Sequence, residues 1–392
     1  MGAPPMHEAK PVFVVGAPRS GTSVLTWALG QHPNLLLTEE SNWLGSFAIQ
    51  AAAAHAQGSV RAQRSQLSAL GIDQDAFLSG LGDAIDRMIL AGRLQMEIAG
   101  GVAAEHSPLQ VNSDFAISRD PKERKSRWVD GTPEYSLQIP ALLALFPRAR
   151  FVHLMRDADQ VAASLLAFRD ERGRALVGSA DEAYAYWLRT VRACLDAETV
   201  LGPGIIHRVR HTDLVADGEG TLRGIFDFLG EPFAPACLEP LRHRINSSFP
   251  GDAVPRTWPA AQSAIIEQAR RSSAEWLASP QSALADASKR ACWQVGFDES
   301  VLHAQVLQGN WETAQRMLSQ TRLAFNVCGI LLLVNWLLAL ALCIRTGDAA
   351  AAFWLGLACA TVVVYLWLRR VGLRAIATRV LGRFARPGGK PG

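Results

Sequence analysis

The chain has 392 residues, of which 49% are apolar and 19% charged, with a formal net charge of +3. That length leaves room for about two to three domains, and the composition excludes intrinsic disorder and collagen-like repeats. The segment after Leu368 holds Arg369, Arg370, Arg374, Arg379, Arg383, Arg386 and Lys390 without an acid, so residues 1–368 carry a net charge of −4. A mildly acidic body lacks the cationic face that duplex nucleic acid requires, and no nucleic-acid partner is expected.

Met1–Lys10 has neither the basic nor the long apolar region of a secretory signal. Gly2 does not meet the myristoylation pattern, because Met6 stands where Ser or Thr is required. Val12–Val15 predicts a strand, followed by a loop with Gly16, Pro18, Arg19, Ser20 and Gly21, and a helix that starts near Thr22. At such a junction, loop amides and the first helical turn present N–H donors and a positive dipole end to an anion. The layout approaches the Walker pattern, but Thr22 occupies the place of its phosphate-reaching lysine. Triphosphate hydrolysis is therefore weakly supported, and Arg19 becomes the loop's cation, with the hydroxyls of Ser20, Thr22 and Ser23 beside it.

The Ala-rich stretch near residues 48–70 reads as a helix and a variable insert. Phe151–Met155 and Ile205–Val209 are further β-branched runs separated by helical pattern, which predicts a parallel α/β sheet. The first of these runs into Arg156 and then Ser164, a cation at a strand end and a hydroxyl on the following helix. Arg156 suits a charge-assisted pair with a phosphate. The six cysteines are widely spaced, without metal-ligand or disulfide-framework spacing, so no metal is expected. His32 and His153 read as structural.

Leu323–Ile344 and Ala349–Leu368 are two charge-free stretches, each about 20 residues long and sufficient to span the hydrocarbon of a bilayer. Only Arg345–Asp348 separates them. They predict a transmembrane hairpin whose basic tail keeps both ends of the chain in the cytoplasm. Residues 370–386 alternate Arg with apolar residues, as in a helix lying on an anionic leaflet; an unstructured basic tail is the alternative. The expected organisation is a catalytic domain over residues 1–320, a hairpin over 321–370 and a basic tail over 371–392, with a P-loop-type parallel sheet flanked by helices in the first.

The segment Gly16-Ala-Pro-Arg-Ser-Gly-Thr-Ser23 resembles the 5′-phosphosulfate loop of sulfotransferases that use 3′-phosphoadenosine 5′-phosphosulfate (PAPS), in the bacterial and Golgi-type branch. Arg156 and Ser164 match the family's 3′-phosphate residues. Family-like pieces also occur at Trp128–Tyr135, Leu145–Pro147, His211–Val215 and Ile225–Pro232. The resemblance covers roughly residues 11–250 and implies a nucleotide site of Arg19, Ser20, Gly21, Thr22, Ser23, Arg156, Ser164 and Ser247. Thr38-Glu-Glu-Ser41 is similar to the tyrosylprotein branch, which makes Glu40 the candidate general base, with Glu39 as the fallback, and Arg19 its catalytic partner. Gly131 departs from the family's Lys-x-Pro element; Arg19 alone, or Lys122, Lys125 or Arg127, would have to stabilise the sulfonate. The implied activity is sulfonyl transfer from PAPS, without a metal, to a hydroxyl acceptor: a glycan, lipid-linked sugar, other lipid or small molecule. A P-loop kinase or nucleotidase and an inactive nucleotide-binding membrane scaffold are the alternative readings, and residues 44–120 are expected to shape the acceptor cleft.

Overall fold

The strands Val12–Val15 (β1), Leu35–Leu37 (β2), Arg127–Asp130 (β3), Arg150–Met155 (β4) and Ile206–Arg210 (β5) form one parallel sheet in the order β2-β3-β1-β4-β5. This is a computed structural model; it describes residues 9–61, 64–99, 125–170, 172–242, 263–346, 350 and 352–366. The helices are Thr22–Gly30 (α1), Leu44–Ser59 (α2), Gln66–Ala69 (α3), Gln74–Ala99 (α4), Ile139–Leu145 (α5), Ala158–Ala167 (α6), Ala180–Leu201 (α7), His211–Ala216 (α8), Gly218–Leu229 (α9), Ala264–Ala278 (α10) and Arg290–Thr346 (α11). A further apolar helix, α12, spans Ala352–Leu366. Two compact units result, residues 1–302 and 303–392.

Alternation along β1 divides its side chains between two cores, as a period of two requires. Val12 and Val14 pack with Leu25 and Leu29 of α1 and with Leu222, Ile225 and Phe226 of α9. On the other face, Phe13 meets Trp128, Tyr135, Phe146 and Phe151 at ring separations of 5.4–6.0 Å. A third group joins Ala17 and Met155 to α6, α7 and α10 through Val161, Leu165, Trp187, Val191 and Ile266. β1 and β2 are buried along their whole length, and their residues read as continuous apolar runs. The chain passes to one side of β1 through β3 and to the other through β4, and ligands of open α/β sheets bind at the carboxyl ends of strands flanking such a switch point.

The second unit contains an apolar segment, Phe325–Thr346, of 22 residues, long enough to cross a membrane and not buried by the protein itself. At about 1.5 Å per residue it reaches about 33 Å. The ring of Tyr365 on α12 lies 6.2 Å from that of Phe325, and its hydroxyl bonds the Phe325 carbonyl. Trp336 Nε1 lies 3.1 Å from Cys359 Sγ. Those pairings run in opposite directions along the two helices, so α11 and α12 pack antiparallel. The described part of the second stretch is shorter than the first, and the residues around it, together with the tail at 371–392, lie outside the described residues.

Candidate functional site

The phosphate loop leaves β1 through a position that only glycine can occupy. Gly16 has φ +151°, and a Cβ there would stand 2.4 Å from the Leu154 carbonyl oxygen of β4. The Gly16 N–H donates to Ser136 Oγ at 2.8 Å, and that hydroxyl donates back to the Gly16 carbonyl at 3.1 Å. At the loop's far end Gly21, with φ +100°, precedes α1 without a side-chain cap. The first-turn amides of α1 have no intrahelical partners by helix geometry, and they carry the positive end of its dipole.

Arg19 adopts the left-handed region, φ +70°, a conformation that costs a non-glycine residue about 1–3 kcal/mol and clusters at ligand sites. Three contacts hold it there. Its carbonyl accepts from Arg156 Nη1 at 3.0 Å, its Nε donates to Ser164 Oγ at 3.2 Å, and its guanidinium lies 4.9 Å from the Phe168 ring centroid. Arg156 is itself oriented by Gln160 Oε1, 3.0 Å from its Nε, while its carbonyl accepts from Trp187 Nε1 at 3.0 Å. Burial and the neighbouring Arg19 charge both depress the Arg156 pKa. Two arginines converging beside a buried serine form a natural anion site, since both guanidinium groups stay charged at neutral pH.

Ser20 is buried, and its Oγ has no hydrogen-bond partner among the described residues. Thr22 and Ser23 start α1 directly after Gly21. The structure thus brings Arg19, Ser20, Gly21, Thr22, Ser23, Arg156 and Ser164 to the carboxyl ends of β1 and β4. Ser247 lies outside the described residues. His211, which follows β5, belongs to the site although no role was assigned to it from sequence. A Cβ on Gly21 would stand 3.3 Å from the His211 ring, so the imidazole lies against the loop. Burial and then the Arg156 charge push its pKa down to about 4, leaving it neutral at pH 7. The signal that could have found it is position: it stands immediately after a strand of the same sheet.

Glu40 follows the carboxyl end of β2, within electrostatic reach of Arg19. After β2, Thr38 is tied to the Val129 carbonyl by both its N–H and its hydroxyl, each at 3.0 Å, and the chain then carries Glu39, Glu40 and Ser41 outward. The Glu40 side chain reaches solvent, yet enough protein surrounds it that burial raises its pKa, with further contributions from the Glu134 and Asp130 charges, to about 7; Arg19 pulls the other way. A carboxylate poised near neutrality beside a cation is suited to accept a proton from a hydroxyl.

Gly131 is demanded by packing. A Cβ there would stand 2.1 Å from Thr26 Oγ1, and Thr26 is buried and donates to the Thr22 carbonyl at 2.8 Å. No lysine fits at this position. Nor do Lys125 and Arg127 replace it, contrary to the alternative raised from sequence. They belong to the amino end of β3, where Lys125 donates to the His32 carbonyl at 2.9 Å and Arg127 to the Lys10 and Leu229 carbonyls and to Glu231. The cradle lies at the carboxyl ends of the strands. Lys122 lies outside the described residues. His32 bonds the Pro232 carbonyl at 2.8 Å and stacks on Phe226, and His153 bonds Glu198 in the core. Among the described residues no group of side chains is arranged to hold a metal ion.

The chain is 28% identical over 105 residues to the omega-hydroxy-beta-dihydromenaquinone-9 sulfotransferase Stf3 of Mycobacterium tuberculosis, a match covering 25% of this chain and 27% of that protein. The sulfotransferase domain of the Synechococcus PCC 7002 olefin synthase is 24% identical, covering 72% of this chain and all of that domain, with a TM-score of 0.42. For the sulfotransferase STF1 of Mycobacterium tuberculosis H37Rv the values are 18% identity, 60% and 72% coverage, and a TM-score of 0.35. The Sulfotransferase family model matches residues 11–235, more than half of the chain. That match reaches from β1 through β5 and α9, the elements that carry the cradle, and the chain belongs to the sulfotransferase family.

Proposed function

We propose that the protein transfers the sulfonyl group of PAPS to a hydroxyl of a membrane-resident lipid, from a catalytic domain held at the cytoplasmic face by its C-terminal helices. The observation that carries the donor assignment is the chain of contacts in which Arg156 holds the Arg19 carbonyl and Arg19 reaches the Ser164 hydroxyl. Arg156 and the Ser164 hydroxyl suit the dianionic 3′-phosphate, and Arg19 and the loop amides with Ser20, Thr22 and Ser23 suit the 5′-phosphosulfate. Gly16 gives the backbone room for this approach, and the partnerless Ser20 hydroxyl offers a further donor to an anion.

In this reaction the acceptor oxygen attacks sulfur as the bond between sulfur and the 5′-phosphate oxygen breaks. Adenosine 3′,5′-bisphosphate (PAP) departs with the bonding pair, and the acceptor proton passes to Glu40. Negative charge that builds on the bridging oxygen is stabilised by the loop donors and Arg19, which are oriented before reaction. His211, neutral and against Gly21, supplies a neutral N–H rather than another charge.

The lipid acceptor is supported by the apolar span Phe325–Thr346 and by the dihydromenaquinone in the name of the Stf3 relative; a lipid-linked glycan has the same topology. The antiparallel packing of α11 and α12 supports a hairpin with both ends in the cytoplasm.

Membranes containing the full chain, incubated with ³⁵S-labelled PAPS and extracted with organic solvent, should yield labelled lipid. Label confined to water-soluble products would overturn the lipid acceptor, and failure of the detergent-purified chain to bind PAP in titration calorimetry would overturn the donor. A reporter fused at Gly347 should lie outside and one at the C-terminus inside; the same side for both would reject the hairpin.

A further inference from the structure

Pro133–Leu137, a single 3-10 turn after β3, touches both halves of the site through consecutive residues. Ser136 holds the phosphate loop by exchanging two hydrogen bonds with Gly16. Tyr135 holds the segment that carries Glu40: its hydroxyl accepts from the Leu44 N–H at 3.0 Å and bonds the Ser41 hydroxyl. Ser41 in turn stands at the Asp130 carboxylate, whose charge its hydroxyl and N–H favour, and Asp130 also accepts from the Thr132 N–H at 2.9 Å and hydroxyl at 2.6 Å.

The turn cannot drift. Its start is fixed by the contact of Gly131 with Thr26 on α1, and the Tyr135 ring is buried edge-on against Phe13 of β1 at 5.7 Å. On its outer side Glu134 accepts from the Tyr186 hydroxyl of α7 at 3.4 Å. One short rigid piece therefore sets the distance between the donor loop and the acidic segment, residues that are about 20 positions apart in sequence and otherwise on separate strand ends.

We propose that Tyr135 is a positioning residue of sulfonyl transfer: its hydroxyl, bridging Leu44 and Ser41, holds Glu40 in line with the sulfonyl group bound at the loop that Ser136 fixes. The inference rests on Glu40 serving as the base in the reaction proposed above. Misplacement of a catalytic group by about 1 Å costs up to about 100-fold in rate, so a hydroxyl that touches no substrate can still control turnover.

The test compares Tyr135→Phe with Ser136→Ala in the full chain in detergent. Tyr135→Phe keeps the buried ring, so it should fold; the expected result is a fall in kcat for labelled-lipid formation of about tenfold or more. Its affinity for PAP should stay within twofold of wild type, and the pH inflection of kcat should move. Ser136→Ala should do the reverse, weakening PAP with the inflection unmoved. Hydrogen exchange in the peptide covering residues 39–47 should accelerate in Tyr135→Phe, a readout independent of turnover. Unchanged kcat and exchange in Tyr135→Phe would overturn the proposal. Parallel losses of kcat, PAP affinity and thermal midpoint would also overturn it, since that is the mark of a purely structural residue. If wild type binds no PAP, the donor reading has failed; accelerated exchange at 39–47 then still supports the clamp, and unchanged exchange rejects it.

Discussion

Arg156 Nη1 donates to the Arg19 carbonyl at 3.0 Å, so the cation at the end of β4 holds the backbone of the cation in the phosphate loop. The same contact helps retain the left-handed conformation of Arg19. Arg156→Ala should therefore remove a phosphate ligand and loosen a second one. A hydrogen bond to a charged group contributes about 1.5–3 kcal/mol, which corresponds to roughly 10- to 150-fold in affinity. Titration calorimetry with PAP should show a loss in that range. Arg156→Lys should recover only part of it, because an ammonium cannot span Gln160, the Arg19 carbonyl and a phosphate as a planar fork does. Affinity unchanged in Arg156→Ala would place the 3′-phosphate elsewhere.

Gly131 makes a second prediction, opposite to what the family's lysine suggests. Restoring a side chain there drives Cβ to 2.1 Å from Thr26 Oγ1, and Thr26 cannot turn away without releasing the Thr22 carbonyl. Gly131→Ala and Gly131→Lys should each cost about 1–3 kcal/mol, the usual range for overpacking, and neither should raise activity. Adding Thr26→Ala should recover part of the stability in a double-mutant cycle. Additive losses, measured by thermal midpoint, would refute the contact.

These sites differ in how far the sequence discloses them. Val12–Val15, Phe151–Met155 and the strand at Ile206 were readable because each is a β-branched run bounded by turn residues. Leu35–Leu37 is too short to show a period, and Arg127–Asp130 begins and ends with charged residues that are satisfied only by distant partners: Arg127 by the Lys10 and Leu229 carbonyls, Asp130 by Thr132. The same distinction runs through the site. Arg19, Ser20, Arg156 and Ser164 stand at fixed offsets from strand ends and can be read from a motif. Tyr135 and Ser136 act on Ser41 and Gly16 across 94 and 120 positions, and nothing local in Pro133–Leu137 announces those partners. His211 is intermediate: its segment was visible, but its contact with Gly21 depends on how β5 pairs with β4.

The core ion group of His153, Glu198 and Arg208 should give the protein a stability maximum in mildly acidic solution. His153 Nδ1 lies 2.5 Å from Glu198 Oε1, and Arg208 binds the same carboxylate. Burial opposes the charged imidazole, but Cys194 and Glu198 outweigh it and raise its pKa to about 10; burial likewise opposes the Glu198 charge, but His153 and Arg208 hold that pKa below the carboxylate range. A raised folded-state pKa contributes fully below the unfolded value of 6.5 and is lost as pH rises through about 10. A depressed one contributes fully above the unfolded value of 4.5 and is lost as pH falls. Both therefore act together between about pH 4.5 and 6.5. Glu198→Gln strands buried cations and should cost about 3–5 kcal/mol, with the alkaline decline flattened in thermal unfolding. A variant as stable as wild type would show that the group is not ionised.

Glu40 carries the sharpest kinetic prediction, because its pKa of about 7 falls within the accessible range. A general base works as the carboxylate, so kcat should rise tenfold per unit as pH increases below about 7 and level off above it. Glu40→Gln should abolish that dependence and lower kcat by about 100- to 10,000-fold, the span of general-base contributions, while PAP binds as before. Glu39→Gln should leave the inflection near 7, which separates the two adjacent carboxylates. Glu134 provides the sign test: its charge raises the Glu40 pKa, so Glu134→Gln should move the inflection to lower pH and increase the active fraction at pH 6. An inflection that stays fixed in Glu134→Gln, or a pH profile that survives in Glu40→Gln, would assign the proton to another group.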